Sequence, residues 1–356
     1  MGGKALSKPS VRFPRAVFAT FALHVLCALE RAFPDVEFRV TRSLAAKHDF
    51  GDLDILYAAS ETIDVSVAMR ALGGVEFFRE NNSAVTSIGV PAGPGHEAGS
   101  LFQVDLIQVP EDCMSFAICY FAFNDLGGFI GVPASKLGFS LGWTGLSYKA
   151  MDPDSPTQQI GRLTVTKNWD EALTLLGYDA ILWRLQERGE TGFRVPEDAF
   201  RYALSGRLVY ADWFAPEQRS GRQRRRDVGR PMFQLLQAWL LDPSSEAYWR
   251  PLPPDFDLDA CRTELLQSVK FAVPKFRAGL ADMLAAHAAE KQFRQIFNGH
   301  RVARLTGLQG PPLGAFLEAL RMRAELPVVA KALADGNADR LDQWILERFR
   351  DRCASS

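Results

Sequence analysis

The chain has 356 residues, of which 47% are hydrophobic and 23% are charged, and its formal net charge is −1. This length is enough for about two domains with well-buried cores. The balanced charge excludes a protein that coats nucleic acid through its overall charge, and no run of about 18 apolar residues predicts a transmembrane helix.

The first 110 residues are predicted to form a small α/β unit. Apolar side chains recur at helical spacing over residues 15–33, and Pro34 ends this helix. A second helix is predicted at 62–72, where two glycines follow it. Strands are predicted at residues 36–40, 53–57, 85–90 and 102–109.

The character of the chain changes after this unit. Residues 125–149 contain six glycines, which we interpret as turns and bulges between strand-like pieces. Asn168 is predicted to cap a helix. Helical periodicity then covers residues 170–176, 197–205, 231–241, 258–269, 276–298 and 313–349. We therefore predict an α+β fold with a mixed β-sheet in an N-terminal domain, 1–160, and a mainly helical region, 161–356.

The cysteines and the N-terminal segment bear on localisation. Five cysteines, an odd number without C-x-x-C spacing, indicate reduced thiols rather than disulfides or a zinc site. Residues 16–29 follow a basic segment, as in a secretory signal, but Glu30 and Arg31 come next and no small-residue cleavage site follows. We expect a cytoplasmic protein with no membrane partner.

Two acidic residues stand on one predicted strand, in the sequence Gly51-Asp52-Leu53-Asp54-Ile55. Side chains at i and i+2 of a strand point to the same face, so the two carboxylates repel each other. A divalent cation would neutralise the pair. An Asp-x-Asp pair alone also fits the exposed end of a strand.

A third acid, Asp105, lies between aliphatic residues on a later predicted strand. If that strand is adjacent in the same sheet, Asp105 joins Asp52 and Asp54, and three carboxylates can hold two Mg²⁺ ions, with Mn²⁺ as an alternative. Upstream, Ser43 follows a strand and can offer its hydroxyl to phosphate. Arg42 and Lys47 add positive charge for the same phosphates, and Gly51 completes the predicted nucleotide-binding residues.

Ser43, the Gly51-Asp52-Leu53-Asp54-Ile55 strand and the later Asp105 together resemble the DNA polymerase β-like nucleotidyltransferase superfamily. The resemblance covers roughly residues 15–110. It implies a palm fold on a mixed sheet and Mg²⁺-dependent transfer of a nucleoside monophosphate from an NTP. It also implies that Asp52 and Asp54 bind both metals, that Asp105 binds the catalytic metal and acts towards the acceptor hydroxyl, and that Ser43 contacts the triphosphate. Arg42 stands where the superfamily pattern has glycine.

A second resemblance lies near the C-terminus. Residues 297–317, with the turn Gly310-Pro311-Pro312 before a helix, are similar to the tail of CCA-adding enzymes and bacterial poly(A) polymerases. This resemblance implies an RNA acceptor such as tRNA. The free N–H groups at the start of that helix are suited to an RNA phosphate, although a plain packing corner fits the same sequence.

Six arginines occur within residues 219–230. Clustered arginines repel one another unless phosphates lie between them, so we interpret five of them as RNA backbone contacts, namely Arg222, Arg224, Arg225, Arg226 and Arg230. Trp213 and Phe214, just upstream, are candidates for stacking on a base. A solvated loop remains the alternative.

The leading hypothesis is a template-independent nucleotidyltransferase acting on an RNA 3′ end. Two alternatives remain open. The same N-terminal domain could modify a protein or a small molecule or make a nucleotide signal, or the chain could be a non-catalytic RNA-binding relative.

Overall fold

The computed structural model describes residues 5–7, 10–81, 83–188, 192–322 and 338–354. The chain divides into two compact units, the first made of residues 1–149 and 162–273, the second of residues 150–161 and 274–356. The predicted domain boundary at residue 160 therefore lies next to residue 161, where the chain returns from the second unit to the first. The helices up to residue 273 belong to the first unit rather than to the second.

The strands are β1 (Phe13–Pro14), β2 (Glu37–Val40), β3 (Asp49–Phe50), β4 (Asp52–Ala58), β5 (Glu76–Phe78), β6 (Val85–Pro91), β7 (Leu101–Val109), β8 (Phe139–Gly142), β9 (Gly145–Asp152) and β10 (Ser155–Thr166). Five of them form a sheet of order β2-β4-β7-β6-β5. The pair β4–β7 is parallel and the other pairs are antiparallel, so the sheet is mixed as predicted. The other two sheets are β1-β3 and β10-β9-β8.

The α-helices are α1 (Arg15–Ala32), α2 (Val65–Leu72), α3 (Met114–Tyr120), α4 (Leu126–Lys136), α5 (Trp169–Leu175), α6 (Ala180–Arg188), α7 (Pro196–Leu204), α8 (Gly221–Val228), α9 (Pro231–Leu240), α10 (Leu258–Ala272), α11 (Pro274–Ile296), α12 (Gly299–Thr306), α13 (Gly310–Arg321) and α14 (Ala338–Ala354). Short 3₁₀ helices occur at Glu111–Cys113, Ala211–Phe214, Pro216–Gln218 and Pro243–Tyr248. No helix in the described ranges has the length and apolar character required to cross a bilayer.

The two faces of the five-stranded sheet are covered differently. On one face, Leu53 and Ile55 of β4 form a buried cluster with α1 and α2. On the other face, Leu56 packs with α3 at the far end of β4. Because side chains alternate along a strand, Asp52 and Asp54 share the second face with Leu56, at the end that α3 leaves open.

The prediction of turns and bulges was wrong for residues 126–136, which form α4. Gly127 serves close packing, because a Cβ at this position would lie 2.2 Å from the backbone oxygen of Tyr120. Helix propensity alone disfavours such a segment, and tertiary packing overrides that preference. The turn prediction holds at Gly138 and Gly145, which have φ angles of 88° and 127°.

The rest of the second half is mainly helical, as predicted. The side chain of Asn168 accepts a hydrogen bond of 3.0 Å from the N–H of Glu171 and caps α5. The Gly-Pro-Pro turn opens α13 with proline in its first turn. Within the range 313–349, where one helix was predicted, the structure describes the end of α13 at residue 321 and the start of α14 at residue 338. Residues 323–337 of this prediction lie outside the described residues.

Candidate active site

The three acids predicted from the sequence come together at one end of the sheet. In the parallel pair β4–β7, Asp54 lies opposite Asp105. Asp52 precedes Asp54 by two residues and therefore shares its face. One carboxylate oxygen from each of Asp52, Asp54 and Asp105 lies within 4.8 Å of the other two. We call these residues the acidic triad.

Burial of like charges dominates the electrostatics of the triad. Desolvation, followed by repulsion from Asp52 and Asp105, raises the pKa of Asp54 to about 8. Asp105 is 9% exposed. Desolvation raises its pKa to about 6, although hydrogen bonds from Ser87 and Gln103 act to lower it. Carboxylate oxygens gathered in this way are the donor set that Mg²⁺ and Mn²⁺ prefer, so these residues fit a divalent cation.

Two polar residues that the sequence analysis missed hold Asp105 in place. The side-chain amide of Gln103 donates to both carboxylate oxygens of Asp105, at 2.9 Å each. Ser87 lies opposite Asp105 in the antiparallel pair β6–β7 and hydrogen-bonds it from the other side. The spacing of Gln103 and Asp105, two residues apart on one strand, was a local signal of this contact.

The segment with the predicted phosphate-binding residues, 41–47, is fixed from several sides. The N–H of Thr41 donates to the backbone oxygen of Asp54 at 3.1 Å. Ala45 and Ala46 donate to the backbone oxygens of Phe193 and Arg194 at 3.0 and 2.8 Å. This backbone pairing fixes the segment against residues 193–194, although Arg42 replaces the glycine of the superfamily pattern.

A cleft of about 560 Å³ opens at two residues of the triad. Asp52 and Asp54 line it together with all four residues that we assigned to the nucleotide, Arg42, Ser43, Lys47 and Gly51. Residues not anticipated from the sequence complete the lining, namely Arg12, Phe18, Thr41, Phe50, Phe121, Asn124, Asp125, Pro231, Met232 and Leu235. Acidic and basic groups thus face the same space.

Lys47 is the basic side chain that interacts most directly with the triad. Its ammonium lies 4.6 Å from the ring centroid of Phe50. Burial lowers the pKa of Lys47, while attraction from Asp52 and Asp54 opposes that shift. The lysine is a compact point charge of the kind that binds phosphate oxygens.

Arg42 lines the cleft but is also part of a charge network behind it. Its guanidinium lies 2.6 Å from the Glu187 carboxylate, whose side chain is 4% exposed. Arg184 contacts the same carboxylate at 2.8 Å and Asp170 at 3.0 Å. We call Arg42, Glu187, Arg184 and Asp170 the Glu187 network. No signal in the sequence pointed to Glu187.

The arginine-rich segment forms α8, not a loop. The side chain of Ser220 caps the helix through the N–H of Gln223. Four arginines of the helix are exposed, namely Arg222, Arg224, Arg225 and Arg226. Arg219 is instead buried in an ion pair of 3.0 Å with Asp227, which stabilises the segment.

Arg230 connects this helix to the cleft. Its guanidinium lies 3.1 Å from the carboxylate of Asp125, a lining residue. The proposal that Trp213 and Phe214 stack on a base was wrong, because both side chains are at most 2% exposed and belong to the core.

No known family model matches this chain, and no curated protein shows a detectable match to it. The chemical interpretation of the cleft therefore rests on its own residues.

Proposed function

We propose that this protein is a metal-dependent nucleotidyltransferase that transfers a nucleoside monophosphate from an NTP to the 3′ hydroxyl of an RNA. The single observation that carries the proposal is the convergence of Asp52, Asp54 and Asp105 to within 4.8 Å, with Asp52 and Asp54 lining the cleft. Buried carboxylates with raised pKa values, here only partly offset by Lys47, are typical of a functional site rather than of a structural ion pair.

The site residues divide in this proposal into metal ligands and triphosphate ligands. Asp52, Asp54 and Asp105 would hold Mg²⁺, which lowers the pKa of an attacking hydroxyl and stabilises the leaving pyrophosphate when bound. Ser43 would hydrogen-bond the triphosphate. Lys47, with the guanidinium N–H groups of Arg42 that do not face Glu187, would neutralise its charge.

The reaction forms one bond and breaks one. The oxygen of the acceptor hydroxyl bonds to the α-phosphorus, and the bond from that phosphorus to the oxygen bridging to the β-phosphorus breaks. The electron pair leaves with pyrophosphate. Asp105, oriented by Gln103 and Ser87, would accept the proton of the hydroxyl.

The exposed arginines of α8 favour RNA as the acceptor. They lie on a short helix that is followed directly by Arg230, and Arg230 contacts the cleft residue Asp125. Arginine clusters bind phosphate backbones through charge and without reading sequence. The arrangement would position an acceptor strand beside the cleft.

The proposal is tested by incubating the purified protein with each labelled NTP, Mg²⁺ and a set of RNA 3′ ends, proteins and small hydroxyl compounds. We expect incorporation into RNA and its loss in Asp52→Ala. The control Asp35→Asn removes an exposed acid in the turn before β2 and should retain activity. Absence of incorporation into every acceptor would refute the proposal. Incorporation only into protein or small molecules would support the transferase activity and refute RNA as the acceptor.

The role of α8 is tested with the triple variant Arg222→Gln, Arg224→Gln, Arg225→Gln, which keeps Arg226 beside the buried Asp227. We expect RNA affinity to fall at least about tenfold, and the slope of its salt dependence to drop by roughly 0.7 for each lost phosphate contact. A control with equal charge loss changes Arg31, Arg70 and Arg188 to Gln, all exposed and outside the cleft lining. Equal effects of both triple variants would argue against a binding role for α8.

A further inference from the structure

Two consecutive residues beside the cleft adopt a backbone conformation that favours glycine. Phe123 and Asn124 have φ angles of 58° and 62°, and they are the non-glycine residues with positive φ in the described ranges. Asparagine tolerates this conformation, but for a bulky residue such as phenylalanine it is a clear outlier. Strained backbone of this kind persists where the surroundings enforce it, and it is frequent at ligand sites.

The surroundings of Phe123 enforce the turn. Its ring centroid lies 4.6 Å from that of Phe193 and 5.9 Å from that of Trp183, and the residue is buried. Its N–H donates a hydrogen bond of 2.8 Å to the backbone oxygen of Arg42, within the segment that also contains Ser43. The core thus fixes Phe123, and the turn leaves Asn124 exposed in the cleft lining.

The part of the cleft around Asn124 differs from the acidic floor. Its lining includes Phe121 and three apolar residues of α9, namely Pro231, Met232 and Leu235, and Leu235 is 50% exposed. Asp125 is engaged by Arg230. Among the residues that the structure describes, none hydrogen-bonds the side-chain amide of Asn124. An unengaged amide beside an apolar surface suits a planar ligand with hydrogen-bonding edges, such as a nucleobase.

We propose that Asn124 determines nucleotide specificity by hydrogen-bonding the edge of the incoming base, while the side chains of α9 support the face of its ring. This inference rests on the proposed function, because it takes the triphosphate to lie at the Lys47 and Ser43 end of the same cleft. An amide carries both donors and an acceptor and can form two hydrogen bonds to one base edge. Asn124 is thus a specificity residue and not a member of the metal site.

The test is calorimetric titration with the Mg²⁺ complexes of non-hydrolysable ATP, GTP, CTP and UTP analogues, and with Mg²⁺-tripolyphosphate, which has no base. We expect the wild type to bind one nucleotide or one base class more tightly than the rest. Asn124→Ala should weaken that binding about 10- to 100-fold and leave tripolyphosphate binding unchanged. Asn124→Asp keeps the shape but replaces the donors, so it should shift preference towards bases that present amino groups.

Asn124→Gly serves as the folding control. Glycine adopts a positive φ without steric strain, so this variant should be at least as thermally stable as Asn124→Ala while also losing nucleotide discrimination. Unchanged nucleotide affinities in all three variants would overturn the role of Asn124. If the wild type binds neither nucleotide nor tripolyphosphate, the proposed function itself fails and this inference with it.

Discussion

The acidic triad and the Glu187 network both bury carboxylates in the first compact unit, but they balance charge in different ways. Glu187 has two arginines within 2.8 Å, and Asp170 extends the network through Arg184. Burial raises the pKa of Glu187, and its ion pairs with Arg184 and Arg42 outweigh that effect, so the net shift is downward. In the triad, burial and mutual repulsion raise the pKa of Asp54 to about 8, and Lys47 only partly offsets them.

Under the proposed function, this difference separates a structural charge from a functional one. A buried carboxylate that serves only the fold is stabilised by cations and hydrogen bonds. Three acids on adjacent strands, only partly compensated by Lys47, lower the stability of the metal-free protein, and the proposed metal ion would supply the missing positive charge. Three predictions sharpen this comparison.

The largest effect is expected at the triad. Asp54→Ala removes one of three anionic ligands and should weaken Mn²⁺ or Mg²⁺ binding at least about 100-fold, measured by isothermal titration calorimetry. Glu187→Gln is the matched control from the other cluster and should leave the affinity for metal nearly unchanged. Equal metal binding by wild type and Asp54→Ala would show that the acids are not ligands and would remove the distinction between the two clusters.

A smaller effect is expected from the residue that orients the triad. Gln103→Leu removes the donor to both oxygens of Asp105 and should weaken Mn²⁺ binding about 10- to 100-fold, as loss of a hydrogen bond to a metal ligand typically does. Gln108→Leu makes the same change on the same strand, where the side chain contacts Thr62 and Ala59 instead. A positioning role requires that only the first variant loses affinity.

The sequence contained enough information to predict the triad, because its signal is local. Alternation along a strand places Asp52 and Asp54 on one face, and aliphatic neighbours place Asp105 on another strand. That β4 and β7 are adjacent and parallel is a property of the whole sheet, and the sequence analysis gave their adjacency only as a condition. Helices α1 and α2, strands β2, β4, β6 and β7 and the helical second half were also predictable from periodicity, whereas the short strands β1, β3 and β5 were missed.

The remaining features depend on contacts between residues far apart in the chain. Glu187 forms an ion pair with Arg42, which lies 145 positions earlier in the chain, and the sequence around either residue does not predict this pair. The glycines of α4 resemble turn residues until Tyr120 is placed against Gly127. The strained turn at Phe123 depends on its packing against Phe193 and Trp183, which lie 70 and 60 positions further along the chain.

The smallest effect, and the one that most directly contrasts with the triad, is expected for the stability of Glu187→Gln. The substitution leaves Arg42 and Arg184 without their shared anion. Both arginines are more than a third exposed, so solvent screens part of the loss, and we expect destabilisation of about 1–2 kcal/mol in urea unfolding at pH 7. Asp170→Asn, at the exposed end of the network, should cost less than about 1 kcal/mol.

The pH dependence of this difference follows from the lowered pKa of Glu187. A carboxyl whose pKa is lower in the folded state stabilises the protein above its unfolded pKa, and this contribution is lost as the pH falls through the folded value. The stability difference between wild type and Glu187→Gln should therefore be full at pH 7 and shrink as the pH falls below about 4, the usual range of a glutamate. A difference that stayed constant down to pH 3 would mean that shape, not charge, holds Glu187 in place, and the contrast with the triad would lose its electrostatic basis.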